Sequence, residues 1–177
     1  MKSLSLTNIF IILSFLLTLL VSLYPELYQF GMNGLFLSEK NYLFLGIQFL
    51  TYSFIHWGIL HFLSNALFLF YFWNEIENDI KDTKYLSFFF FTTLFIGMMI
   101  LLFGADNTVG ISWFWLAVMT YYTLELKRRG NPDYRWGLTA ILVNVALGFI
   151  PGISLIGHFF WVISGLAFFY LNKKLLK

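Results

Sequence analysis

Residues 41–74 read NYLFLGIQFLTYSFIHWGILHFLSNALFLFYFWN. The stretch holds no charged residue, yet it carries His56 and His61, two of the chain's three histidines. A membrane-spanning helix needs about 20 mostly apolar residues. This run is too long for one such helix. Part of it must be loop or membrane-dipping segment, ahead of a span that begins near residue 53. Ionisable groups at membrane depth cost free energy and mark functional sites by default. Fold and function therefore turn on one question: what else lies at the depth of these histidines?

The rest of the chain has the same character. Of 177 residues, 59% are apolar and 11% charged, a composition that excludes an ordinary soluble domain and reads as an all-α, polytopic membrane protein. Without cysteine, no disulfide, thiolate nucleophile or zinc–cysteine site can form. No basic patch is interleaved with aromatics, so nucleic acid is not an expected partner. Lys2 followed by a charge-free run from Ser3 to Pro25 could imitate a signal peptide. The run is longer than a signal's apolar core and no small-x-small cleavage site follows, so a retained first span is expected.

Charge-free runs over 3–25, 85–105, 107–124 and 136–172 complete the count. The last is divided by Pro151-Gly152-Ile153-Ser154, because proline and glycine break helices. Six spans result, at roughly 5–25, 53–74, 85–105, 108–126, 135–150 and 154–172, in one membrane domain covering 1–177. Residues 26–52 form an outer loop lying partly in the interface. Phe88–Phe91 is a phenylalanine run for which lipid-facing packing is expected. Ten of the eleven basic residues fall on the side of the termini, and only Lys40 lies opposite. Cytoplasmic loops carry the Lys/Arg excess, so both termini are expected in the cytoplasm, as in a bacterial inner membrane. Lys127-Arg128-Arg129 is first a topology anchor, with lipid headgroups as a weaker possibility. Trp57 and Trp136 suit interfacial belts.

Spans two, four and six then all run inward from the outer face. His61 and Asn65 come early in span two, Ser112 starts span four, and His158 comes early in span six. At 1.5 Å rise per residue, each lies roughly 5–15 Å inside its helix start. His61 and Asn65, four residues apart, share a helix face and can both donate hydrogen bonds. Ser112 is a weak nucleophile unless a base stands within hydrogen-bond reach, and His158 is the candidate base. Gly110 would let backbone approach a substrate closely. The free N–H groups of a helix start suit an oxyanion. Taken singly, the residues have plainer readings: Ser112 a helix N-cap, His61–Asn65 an interhelical clamp, His56 an interfacial side chain, Asn144 a structural hydrogen bond and Gly165 a packing position.

The ordered set resembles the rhomboid family of intramembrane serine proteases. Thr51-Tyr-Ser-Phe-Ile-His56-Trp-Gly-Ile-Leu-His61-Phe-Leu-Ser-Asn65 looks like that family's second-span pattern, H-x-x-x-x-H-x-x-x-N preceded by T-x-x-F. Glu77 falls where the family commonly carries a glutamate. Gly110-Ile-Ser112 resembles its G-x-S-G, and Gly157-His158 followed by Gly165 resembles its A-H-x-x-G-x-x-x-G. The resemblance covers roughly residues 41–172 and implies a six-helix rhomboid-like bundle. It implies Ser112 as nucleophile and His158 as base, with His61, Asn65 and the Ser112 amide holding the oxyanion. The substrate would be a transmembrane segment of another protein, cut near the outer face, with membrane lipid around it and no metal or cofactor. Span five resembles the family's substrate gate.

The pattern is broken at Trp113 and Trp161, where the family keeps glycine. Small residues there let membrane helices approach, so two tryptophans are expected to push spans four and six apart or force repacking. Gln48 stands near where the family's first loop carries an arginine. The rival reading is an inactive rhomboid-like protein that binds membrane clients. A transporter using the buried histidines is a third, but no internal symmetry supports it.

Overall fold

The computed structural model describes residues 5–70, 77, 80, 82–104, 107–149 and 155–175, and the side chains of all these but 155, 156 and 173–175. Among them the fold is helical. In chain order it comprises α1 (Leu6–Leu23), a 3-10 segment (Pro25–Phe30), α2 (Leu35–Ser38), α3 (Tyr42–Thr51), α4 (Ile59–Phe68), α5 (Asp82–Phe103), α6 (Ser112–Arg128), α7 (Tyr134–Leu147) and α8 (Leu155–Leu175). α1 and α5 are long and apolar enough to cross a membrane.

Helices lie in most of the charge-free runs, with ends within a few residues of those expected. The expected ends at 71–74, 105, 150 and 154 lie outside the described residues. The exception is the second span, which was expected from residue 53. Helix begins only at Ile59, after a turn that contains His56 and ends at Gly58, whose φ of +92° suits glycine. Residues 26–52 are held together by hydrogen bonds of their own. Gln48 is fully buried and its Nε2 donates to the Gln29 carbonyl at 2.9 Å, while the Thr51 hydroxyl donates to Phe30 O at 2.9 Å. These bonds pin α3 onto the 3-10 segment.

That loop then grips the segment leading into α6. Met32 and Thr108 exchange both backbone hydrogen bonds, at 2.8 and 2.9 Å, as an antiparallel bridge. Asn107 Nδ2 donates to Tyr28 O at 2.7 Å, and Asn107 Oδ1 accepts from Asn33 Nδ2 at 3.0 Å. A Cβ on Gly31 would overlap Asn107 and Val109, so the close approach depends on glycine.

At the other end of α1, Glu77 does the work of a cap. Its carboxylate accepts from the backbone N–H of Leu6 (2.6 Å) and Thr7 (2.9 Å) and from the Thr7 hydroxyl (2.6 Å). The first N–H groups of a helix lack intrahelical partners and carry partial positive charge, so an anion there is stabilising. The Thr7 hydroxyl also meets Tyr85 OH at 2.9 Å, which joins α5 to the same junction.

α6 and α8 form the most extensive helix pair. The expected splaying by tryptophan does not occur. The Trp113 ring lies where a Cβ on Gly157 would be, and a Cβ on Gly165 would overlap the Ala117 carbonyl and Thr120. Gly157 thus supplies the room that the Trp113 ring takes, and Gly165 keeps α8 close to α6 further along. Trp161 is fully buried and Trp113 nearly so. The phenylalanine run also departs from expectation. Phe88 and Phe89 are core residues, with Phe88 stacked on Phe168 at 4.0 Å, and Phe90 is exposed. A helix turns about 100° per residue, so four consecutive rings cannot all face lipid.

Candidate functional site

The candidate site lies where the start of α4 and the turn before it face the segment leading into α6, and where the first turn of α6 packs on that of α8. Gly110 makes the bend into α6 with φ +120°, a conformation that side-chain-bearing residues rarely adopt. Its N–H donates to Tyr52 O at 2.9 Å. The next N–H, of Ile111, donates to His56 Nε2 at 3.4 Å. Ser112 is the first helical residue. Ile111 occupies the N-cap, so the N-cap reading of Ser112 does not hold.

The N–H groups of Phe114 and Trp115 are both taken by Ile111 O. Those of Ser112 and Trp113 have no acceptor among the described residues. The Ser112 hydroxyl likewise makes no hydrogen bond among them, with His158 or any other group. The half-buried serine therefore sits at a helix N-terminus with free donors beside it.

His61 lies across from Gly110, its Nε2 3.4 Å from where a Gly110 Cβ would be. Its Nδ1 accepts the Trp57 N–H at 3.2 Å. A neutral imidazole that accepts at one nitrogen donates at the other, so Nε2 carries the hydrogen beside Gly110. Asn65, one turn further along α4, is more committed than expected. Its Nδ2 donates to His61 O at 2.8 Å and its Oδ1 accepts the Trp115 indole N–H at 2.9 Å. One Nδ2 hydrogen remains uncommitted in these bonds.

His56 is not an interfacial side chain. It is fully buried, and its ring lies 5.0 Å from that of His61. Nε2 accepts from Ile111, so Nδ1 carries the hydrogen and donates to Phe54 O at 3.1 Å, with the Thr18 hydroxyl at 3.3 Å. Its carbonyl accepts from Tyr28 OH. His56 is a strut that ties α1, the outer loop and the approach to Ser112 together. Position in the sequence suggested an edge; the reach of the outer loop over the turn buried it.

His158 lies edge-on to Trp113, ring centroids 6.3 Å apart. Its Nδ1 contacts the Asn144 carbonyl oxygen at 2.6 Å. A carbonyl can only accept, so Nδ1 carries the hydrogen and Nε2 keeps a lone pair in the neutral ring. Asn144's side chain bonds within its own helix, to Ala140 O at 2.9 Å. Among the described residues, no group of three or more His, Cys, Asp or Glu could hold a metal.

The structure thus brings His61 and Gly110 together, with Ser112 two residues on. It adds Asn65 through Trp115, and His158 through Trp113. Trp115, His56 and the Asn144 carbonyl were not singled out as parts of the site. The indole spacing is indistinguishable from membrane packing, and a backbone carbonyl leaves no mark in a sequence.

A family model described as the Rhomboid domain matches residues 46–174. The chain belongs to the rhomboid family. That stretch takes in α4 to α8 and every residue of the site. No curated protein matches the chain.

Proposed function

We propose that this rhomboid is an active intramembrane serine endopeptidase. Ser112 Oγ attacks the scissile carbonyl of a transmembrane segment, and its proton passes to His158 Nε2. His158 returns that proton to the leaving amine as the peptide bond breaks. Water then attacks the acyl ester, giving its proton to His158, and His158 hands that proton to Ser112 Oγ as the ester breaks and the carboxyl product leaves. The Ser112 N–H, His61 Nε2–H and the remaining Asn65 Nδ2 hydrogen stabilise the oxyanion. No metal or cofactor takes part.

The observation that carries this reading is the pairing of free donors with a serine. His61 presents an N–H beside Gly110, and the Ser112 amide is unclaimed at a helix start. Donors fixed before reaction cost nothing to organise when charge develops. The Nδ1-protonated His158 leaves the right nitrogen free to act as base. In this reading the chain spans the membrane six times with both termini cytoplasmic, in a bacterial inner membrane, and cuts near the outer face.

A second reading, a rhomboid that binds transmembrane clients without cutting them, is favoured by one observation. Among the described residues Ser112 and His158 share no hydrogen bond, and Trp113 stands next to the serine. A fluorophosphonate probe on the purified protein in detergent separates the two. Labelling that disappears in Ser112→Ala, with cleavage of a test transmembrane substrate, is the expected result. An unlabelled wild-type protein that cleaves nothing would establish the client-binding reading.

A further inference from the structure

His158 is oriented by a helix end. Along α7 each carbonyl should accept from the N–H four residues on, but the last four carbonyls of a helix have no such partner. Gly148 N–H turns back to Val145 O at 3.1 Å and Phe149 N–H to Ala146 O at 3.1 Å, as the helix tightens. The Asn144 carbonyl is left free of its usual partner, and the imidazole takes it at 2.6 Å. The C-terminal end of a helix also carries roughly half a negative charge.

We infer that the carbonyl of Asn144 is the positioning group for His158, doing with backbone what a buried carboxylate does in a serine–histidine–aspartate triad. It fixes the ring's tautomer, keeps Nε2 as the proton acceptor, and favours the imidazolium formed when Ser112 gives up its proton. The inference rests on the proposed role of His158 as base. It has a structural consequence. α7 packs on α6 and α8 and buries only Ile141, so the element that aligns the base is the least embedded of the long helices. Alignment of His158 then depends on where α7 sits, and Asn144 acts through its backbone, whatever its side chain.

Histidine ¹⁵N NMR on the detergent-solubilised protein reads the tautomers directly. His158, assigned by its loss in His158→Gln, should be protonated at Nδ1 and unprotonated at Nε2, and His61 the reverse. Replacing His158 by Nδ-methylhistidine keeps the basic Nε2 and removes the hydrogen bond. Fluorophosphonate labelling of Ser112 should then slow by about tenfold or more, and kcat should fall with KM unchanged. Val145→Pro provides a second route, because a residue before proline is driven out of the helical region and its carbonyl turns away. It should slow labelling similarly, whereas Asn144→Ala should label within about threefold of wild type. His158 found protonated at Nε2, or a methylated His158 that labels at the wild-type rate, would overturn the inference. A wild-type protein that never labels, yet shows His158 protonated at Nδ1, keeps the hydrogen bond and removes the protease reading instead.

Discussion

At the scale of single residues, α6 carries Trp113 where close helix packing favours glycine because a glycine on α8 faces it. Gly157 has no Cβ to meet the Trp113 ring, and Gly165 lets α8 reach the Ala117 carbonyl. Gly157→Ala should therefore cost about 1–3 kcal/mol through overpacking, and Trp113→Gly should relieve most of that cost in the double variant. Unfolding of the four proteins in detergent gives the coupling; additive effects would mean that the two side chains do not compete for one space. The site offers a sharper residue-scale expectation. His61→Ala removes a donor without touching Ser112, so kcat should fall by about 10²–10³ while serine labelling by the probe persists more slowly. His56→Ala should act differently, lowering stability and activity together, since its ring holds the Ile111 N–H.

At the scale of elements, helix ends decide more than helix middles. α1 begins on a borrowed carboxylate, α6 begins with its first two N–H groups unclaimed among the described residues, and α7 ends on a carbonyl lent to α8. Glu77 is buried, and three hydrogen bonds converge on it from the first turn of α1. Glu77→Gln should destabilise by about 1.5–3 kcal/mol, since a neutral amide is a weaker acceptor and its NH₂ faces donors. Thr7→Val should cost less, because the two backbone bonds survive. Unfolding midpoints order the two, and equal losses would show that the backbone bonds contribute little. The basic cluster at the C-terminal end of α6 is paired within its own helix turn. Arg128 Nε and Arg129 Nε both donate to Glu125, at 2.8 and 2.9 Å. These arginines remain about half exposed, so the pairs are worth little individually.

At the scale of the whole molecule, topology is the expectation most open to direct test. A chain without cysteine is a ready background for single-cysteine labelling. Lys40→Cys should react with an impermeant thiol reagent from the outside of intact cells, and Lys127→Cys only after the membrane is opened. Labelling of both from one side would overturn the six-span arrangement. The molecule also explains which expectations failed. Helices were legible because 20 apolar residues in a row have few other uses, and His61, Asn65, Ser112 and His158 stood out because polar groups in such runs are costly. The late start of α4 and the burial of His56 were not, since the loop before them is held together through Gln48 and Thr51 and reaches the turn through Tyr28. Neutral side chains bonding to distant carbonyls have no local signature.

The sequence by itself determined a helical membrane protein, its family, the approximate helices and the residue types available for chemistry. These follow from hydropathy, charge and spacing, which are properties of the chain read in one dimension. Only the tertiary structure decided which donors remain free. It assigned His61 a hydrogen beside Gly110, committed most of Asn65 to Trp115 and its own helix, and made His56 a strut. It also gave His158 a backbone carbonyl from α7. A histidine's tautomer is set by whichever partner its second nitrogen finds, and that partner is chosen by packing.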